Sequence, residues 1–240
     1  LNLNGSKYVN GLLPLAQGGC MTLLRHVIWF VVASFLVGSI SAAQIQHQEH
    51  HPPQTTTSYI KVLEDPNREA WQQPDKVVDT LGLTPGDQVA DLGAGPGYFT
   101  LRFARAVGPT GKVYGVDISR DMLDYLKKQA REEKLTNIQA VLAGSHDPQL
   151  PPDSVDVIFI CDTLHHISDR TTYYPLLKRA LKPGGRLVNI DFYKRPLPVG
   201  PPVEMKIPKA EMIREAESAG FRLVQQYNFL EYQYFLVFAR

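Results

Sequence analysis

Three groups of residues in this 240-residue chain have types and spacings that can do chemistry. The first is Asp91-Leu92-Gly93-Ala94-Gly95-Pro96-Gly97, in which an acid is followed by glycines at alternate positions. Glycine leaves the backbone unblocked, and a glycine loop that opens a helix can bring its N–H groups close to a ligand. The second is Asp117, whose carboxylate stands at the distance along the chain suited to gripping the two hydroxyls of a ribose. The third is His165-His166, side chains that titrate near neutrality and are candidate general bases. The first two groups point to a nucleoside-containing cofactor. As a dinucleotide fingerprint, G-x-G-x-x-G requires glycine at position 98, which is Tyr98, so a nicotinamide oxidoreductase loses its third glycine.

These residues need a scaffold, and the sequence spells one out as alternating strands and helices. Residues 66–81 carry helical spacing closed by Gly82. A short buried strand over Gln88–Leu92 leads into the glycine loop, and a helix over Tyr98–Val107 follows. Lys112–Val116 reads as a second strand, Arg120–Lys134 as an amphipathic helix capped by Ser119, and Ile138–Ala143 as a third strand. Val155–Cys161 is a fourth strand, Asp169–Leu181 a helix, and Arg186–Phe192 a fifth strand entered through Pro183-Gly184-Gly185. This alternation predicts an α/β fold with a parallel sheet and helices on both faces. It breaks at the end. After a proline-rich loop (195–208) and a helix over Lys209–Ala219, Phe221–Phe229 and Tyr232–Phe238 read as two strands joined by a tight turn, which makes an antiparallel pair. His165 and His166 directly follow the fourth strand, at the carboxyl edge where open α/β sheets bind ligands. A purely structural reading stays open, in which one of the two packs or caps while the other faces solvent.

Residues 1–43 stand apart. Arg25 precedes an apolar run from Val27 to Val37 and the small-residue stretch ending at Ala42-Ala43, the pattern of a signal peptide or, if uncleaved, of an anchor; residues 1–20 read as sequence upstream of Met21. Export to the periplasm or the medium is expected if the signal peptide is real, and a cytoplasmic protein otherwise. Residues 44–58 are polar, with His47, His50, His51 and Thr55-Thr56-Thr57, and read as a linker without regular ligand spacing for a metal. The domain proper is expected over 59–240.

Composition narrows the partners. Lys and Arg number 25 against 24 Asp and Glu, so no global field favours nucleic acid or an acidic membrane surface. Two cysteines, Cys20 and Cys161, suffice neither for a disulfide framework nor for a thiolate zinc site.

Three segments resemble motifs of class I S-adenosylmethionine-dependent methyltransferases: Asp91–Tyr98, Val113–Ile118 and Leu181–Leu187. Two more, Leu63-Glu-Asp-Pro66-x-Arg68-x-x-Trp71-Gln72 and Asp162-Thr-Leu-His165-His166-Ile167-x-Asp169-Arg170, are similar to bacterial methyltransferase-domain proteins that often carry signal peptides. The resemblance implies a Rossmann-like, doubly wound seven-stranded sheet of order 3-2-1-4-5-7-6 with strand 7 antiparallel, which would account for the terminal hairpin. It implies S-adenosyl-L-methionine as cofactor. Gly93, Ala94, Gly95 and Gly97 would line its methionine and ribose, with Asp91 orienting the loop or meeting the amino group. Asp117, followed by Ile118, would take the ribose hydroxyls, Asp147 the adenine amine, and Cys161 and Asp162 would pass beside the transferable methyl.

Methyl transfer from a sulfonium is an in-line displacement, so positioning the acceptor supplies much of the effect and a base is needed only if the acceptor must lose a proton. The expected acceptor is a small molecule. Three alternatives remain at this level: a module that binds the cofactor without turnover, a protein isoaspartate-type methyltransferase suggested by Gly108–Gly115, and the nicotinamide oxidoreductase.

Overall fold

The structure, a computed structural model, describes residues 55–240. The expected signal peptide or anchor, and the linker up to residue 54, lie outside the described residues. The first element, α1 (Thr56–Leu63), begins inside the stretch read as linker. Thr55 caps it by accepting a hydrogen bond from Ser58 N, while the Ser58 hydroxyl reaches back to the Thr55 backbone N–H.

Residues 66–81, expected as one helix, form two: α2 (Arg68–Gln72) and α3 (Pro74–Leu81). The break is at Gln73, held at φ 46°. Pro74 disfavours a helical conformation at the residue before it and is itself well placed in a first helical turn.

Then come β1 (Gln88–Leu92), α4 (Thr100–Val107), β2 (Lys112–Asp117), α5 (Arg120–Glu132), β3 (Ile138–Leu142) and β4 (Val155–Cys161). A 3-10 turn, Leu164–His166, leads to α6 (Arg170–Ala180), β5 (Leu181–Phe192), α7 (Lys209–Ser218), β6 (Arg222–Tyr227) and β7 (Gln233–Ala239). Ser119 caps α5 as expected, and Asp169 caps α6. The Pro183-Gly184-Gly185 segment lies within β5, not before it. It makes a bulge where the pairing with β4 jumps from Val155↔Leu181 to Val157↔Arg186. The last two strands are joined not by a tight turn but by residues 228–232.

The seven strands are ordered β3-β2-β1-β4-β5-β7-β6, with β7 antiparallel to both neighbours and the other pairings parallel. Both faces are covered. On one, Val77 and Leu81 of α3 and Phe103 and Val107 of α4 bury against Val89, Phe159 and Val188. On the other, Tyr174 and Leu177 of α6 and Met212 and Ala216 of α7 bury against Ile158, Ile160 and Leu187.

This topology positions the site through one consequence of direction. β1, β2, β4 and β5 all end at the same sheet edge, where open parallel sheets leave a crevice. β7 runs the other way and therefore starts there, so Gln233 and Tyr234 stand opposite Phe192 and Asp191. Residues from five strand ends can meet at one place.

Candidate active site

The glycine loop follows β1 and is drawn against β2: Gly93 and Ala94 N–H both donate to Val116 O, at 2.8 and 3.0 Å. Gly93, Gly95 and Gly97 all have positive φ (79°, 52° and 104°), which glycine alone adopts without strain. A Cβ on Gly93 would come within 2.1 Å of the Thr163 hydroxyl, and one on Gly97 within 2.6 Å of Leu126 Cδ1. Two of the glycines thus let the loop approach the end of β4 and the face of α5. A Cβ on Gly95 would meet Leu63 Cδ1 of α1 at 3.4 Å, so that helix lies over the loop.

Asp117, at the end of β2, accepts from Gly95 N through Oδ2 and from Ser119 N through Oδ1, each at 2.8 Å. Its carboxylate is tied directly to the loop, only partly buried, and flanked by Ile118, 71% exposed. An exposed isoleucine beside a strand-end carboxylate offers an apolar surface for the base of a nucleoside whose ribose the carboxylate holds. Asp147 lies in a turn next to it, bridged to Gly144, and Ala143 N donates to Asp117 O. The Asp147 carboxylate accepts from Gln149 N.

Asp91 turns the other way. It is buried and accepts from the Thr100 hydroxyl at 2.5 Å, joining β1 to α4 beneath the loop. Burial pushes its pKa up to about 7, against the lowering effect of the Thr100 hydrogen bond. In this arrangement its carboxylate is committed to Thr100 of α4.

Asp162 follows β4 at φ 54°, its N–H donating to Ile190 O. Its Oδ1 accepts from Gln233 Nε2 at 2.6 Å, Gln233 Oε1 accepts from Gln72 Nε2 at 2.7 Å, and Gln72 Nε2 also lies 3.3 Å from Cys161 Sγ. Burial and then the charge of Asp191 push the Asp162 pKa up to about 6, with Arg68 opposing. Cys161 is buried, and burial first, then the Asp162 charge, raises its thiol well above the usual range, so it is no nucleophile at neutral pH.

The two histidines have different surroundings. His165 is almost wholly buried, its Nδ1 3.0 and 3.1 Å from the two oxygens of Asp191 near the end of β5. Burial pulls its pKa down, but the hydrogen bond and charge of Asp191, with Asp162 adding, outweigh this and raise it. His166 is exposed, with its ring centroid 4.2 Å from that of His165. Aromatic side chains gather around the end of β5: Trp71 of α2 lies 5.7 Å from Phe192, and Tyr193 lies 5.9 Å from Tyr234, ring to ring.

Sequence reasoning missed Asp191 and Gln233, and it gave Arg68 and Gln72, both in a recognised motif, no role. A carboxylate in an otherwise apolar strand, Val188-Asn-Ile-Asp191-Phe192, was the available signal for the first.

A family model described as a methyltransferase domain matches residues 83–230. The chain belongs to that family. The structure of an S-adenosylmethionine-dependent methyltransferase from Aquifex aeolicus is 31% identical over 76% of this chain and 97% of its own, with a TM-score of 0.72. This methyltransferase fold has the strand order and antiparallel seventh strand that the motifs imply. The ubiquinone/menaquinone biosynthesis C-methyltransferase UbiE of Vibrio campbellii is 36% identical over 118 residues, 49% of this chain and 46% of the relative. The chain thus spans about half the length of the curated relatives it matches. The [4+2]-cyclase SpnF shares the fold at 24% identity and a TM-score of 0.57, over 68% of this chain and 64% of its own.

The family's cofactor is S-adenosylmethionine, and the residues present fit it. The glycine loop leaves backbone accessible beneath α1, the Asp117 carboxylate could take a ribose, and the exposed Ile118 could face a base. When bound, the cofactor supplies a methyl group activated by its sulfonium.

Proposed function

We propose that this methyltransferase moves a methyl group to a small-molecule acceptor from which His165 removes a proton. The observation that carries this is the His165–Asp191 pair at the sheet edge shared with the glycine loop and Asp162. Asp191 holds Nδ1 in its protonated form, which leaves Nε2 as the basic nitrogen. With the cofactor bound, its sulfonium would supply the methyl group and leave as a neutral thioether, while His165 would take the proton that the acceptor loses. Gly93, Ala94, Gly95, Gly97, Asp117 and Ile118 would hold the cofactor, with Asp147 toward its adenine and Asp162 toward its methionine end. His166, on the exposed side of His165, is a second base for an acceptor approaching from solvent.

The likeness to UbiE supports a quinone-type acceptor methylated at carbon. The partly exposed Trp71 and Tyr193 support it too, because an aromatic ring stacks favourably against such side chains. Deprotonating a ring hydroxyl would make the neighbouring carbon nucleophilic, which gives the base a task.

The test is incubation of the purified protein with S-adenosylmethionine and a panel of hydroquinones, phenols, amines and thiols, with mass spectrometry of the products. Transfer to a ring carbon of a hydroquinone supports the reading, while transfer to an amine or thiol alone overturns the quinone class. Cofactor binding without transfer to any acceptor favours a binding module.

A further inference from the structure

Arg68 is the first residue of α2, directly after the turn from α1, and the chemistry above gives it no role. Asp65 Oδ1 fixes the turn before it, accepting from Asn67 N and Nδ2 at 2.9 and 3.0 Å. The guanidinium is then held on three sides. Nε donates to Gln72 Oε1 at 3.1 Å, Nη1 donates to Leu63 O at 3.0 Å, and the Tyr98 ring lies 4.0 Å from the guanidinium carbon. The side chain is only 12% exposed. These contacts leave Nη2 directed at Asp162, 4.0 Å from Oδ2, which is beyond hydrogen-bond distance.

The place matters as much as the contacts. Leu63, whose carbonyl Arg68 binds, is the residue lying over Gly95, and Tyr98 directly follows the glycine loop. Arg68 therefore presents a fixed cation between the loop and the end of β4. Its charge is felt at both, opposing the burial-driven rise in the pKa of Asp91 and of Asp162. The amino-acid end of S-adenosylmethionine is a zwitterion, which needs an anion for its ammonium and a cation for its carboxylate a few ångströms apart. Asp162 and Arg68 are such a pair, too far from each other to neutralise one another by a hydrogen bond.

We infer that Arg68 binds the α-carboxylate of the cofactor through Nη2, clamping its amino-acid end between the α1–α2 segment and the glycine loop. A guanidinium already oriented by two hydrogen bonds and an aromatic face loses little freedom in doing so, which is what makes arginine better than lysine at such sites.

The experiment compares two ligands by calorimetric titration of the full chain. S-adenosylhomocysteine carries the amino-acid end; 5′-methylthioadenosine keeps the nucleoside and the sulfur but lacks it. Arg68→Gln weakens S-adenosylhomocysteine by roughly 10- to 100-fold and 5′-methylthioadenosine by less than about twofold, as expected for one charge-assisted contact. Arg68→Lys restores part of the lost affinity. Equal loss for both ligands would show that Arg68 only holds the α1–α2 segment in place and overturns the inference, as does unchanged S-adenosylhomocysteine binding. Wild-type protein that binds neither ligand overturns the cofactor assignment itself, and the role of Arg68 with it.

Discussion

His165 Nδ1 lies 3.0 Å from Asp191 Oδ1, a contact between residues 26 positions apart that joins the turn after β4 to the end of β5. The Asp191 side chain is fully buried and also accepts from its neighbour Phe192 N, so it cannot swing away. A buried carboxylate that holds one imidazole nitrogen fixes the ring and makes the other nitrogen more basic.

If this pair is the base, the methylation rate rises with pH through the raised pKa of His165, because only the neutral ring accepts a proton. His165→Asn lowers turnover by roughly 10²- to 10⁴-fold with cofactor affinity retained. Asp191→Asn lowers it less and moves the inflection to lower pH, since the groups that raise the pKa are then fewer. A pH–rate profile of Asp191→Asn superimposable on wild type removes the pair from the mechanism.

Asp117 makes a separate prediction. If Asp117 takes the ribose hydroxyls, Asp117→Ala, which also removes the acceptor for Gly95 N, lowers S-adenosylhomocysteine binding by about 100-fold or more on titration. Unchanged binding would remove Asp117 from the cofactor site.

Stability should fall as pH rises from about 5 to 8. Asp91 and Asp162 have folded pKa values of about 7 and 6, above the unfolded 3.8, and that of His165 is raised as well. A raised group contributes stability that is complete below its unfolded pKa and lost as pH climbs through the folded one. For Asp91 that window runs from 3.8 to about 7, and the loss is at most on the order of 4 kcal/mol. Asp91→Asn flattens the slope, so its stability relative to wild type improves between pH 5 and pH 8 in urea denaturation. The lowered carboxyls Asp124 and Asp169 act below their ordinary range and leave this window alone.

The Gly93–Thr163 approach predicts a specific rescue. Gly93→Ala places a Cβ 2.1 Å from the Thr163 hydroxyl and forces alanine to φ 79°, so it lowers the melting temperature and abolishes cofactor binding. Thr163→Gly in the same chain relieves the overlap, leaving a backbone cost of about 1–2 kcal/mol. Absence of any rescue would mean that the overlap is not the cause.

Gln72 and Gln233 are both fully buried and bonded to each other, tying α2 to β7. Gln72→Leu leaves the Gln233 carbonyl without its donor and costs about 1–3 kcal/mol. Adding Gln233→Leu costs less than the two single changes together, because both ends of the bond are then apolar. Additive losses in urea denaturation would show the pair to be uncoupled.

Much of the fold was legible because its signals are local. Apolar spacing, Ser119 as a cap, and the glycines after β1 each report on a few neighbouring residues. The errors have the same origin. The helix over 66–81 looks continuous by apolar spacing alone, but the proline at 74 constrains Gln73 and splits it. Thr55 lies in a threonine run that reads as linker, until a Ser58 hydroxyl three residues on completes its cap.

The sequence by itself determined the α/β class, the motifs of a class I methyltransferase and, through them, the cofactor and Asp117 as partner of the glycine loop. The tertiary structure alone decided that His165 is buried against Asp191 while His166 is exposed, that Asp91 faces Thr100, and that Gln72, Gln233 and Arg68 converge on Asp162. Gln72 and Gln233 are 161 positions apart, and no periodicity links them. They meet because parallel strands end, and the one antiparallel strand begins, at the same edge of the sheet, and that depends on strand order and direction, not on anything local to either residue.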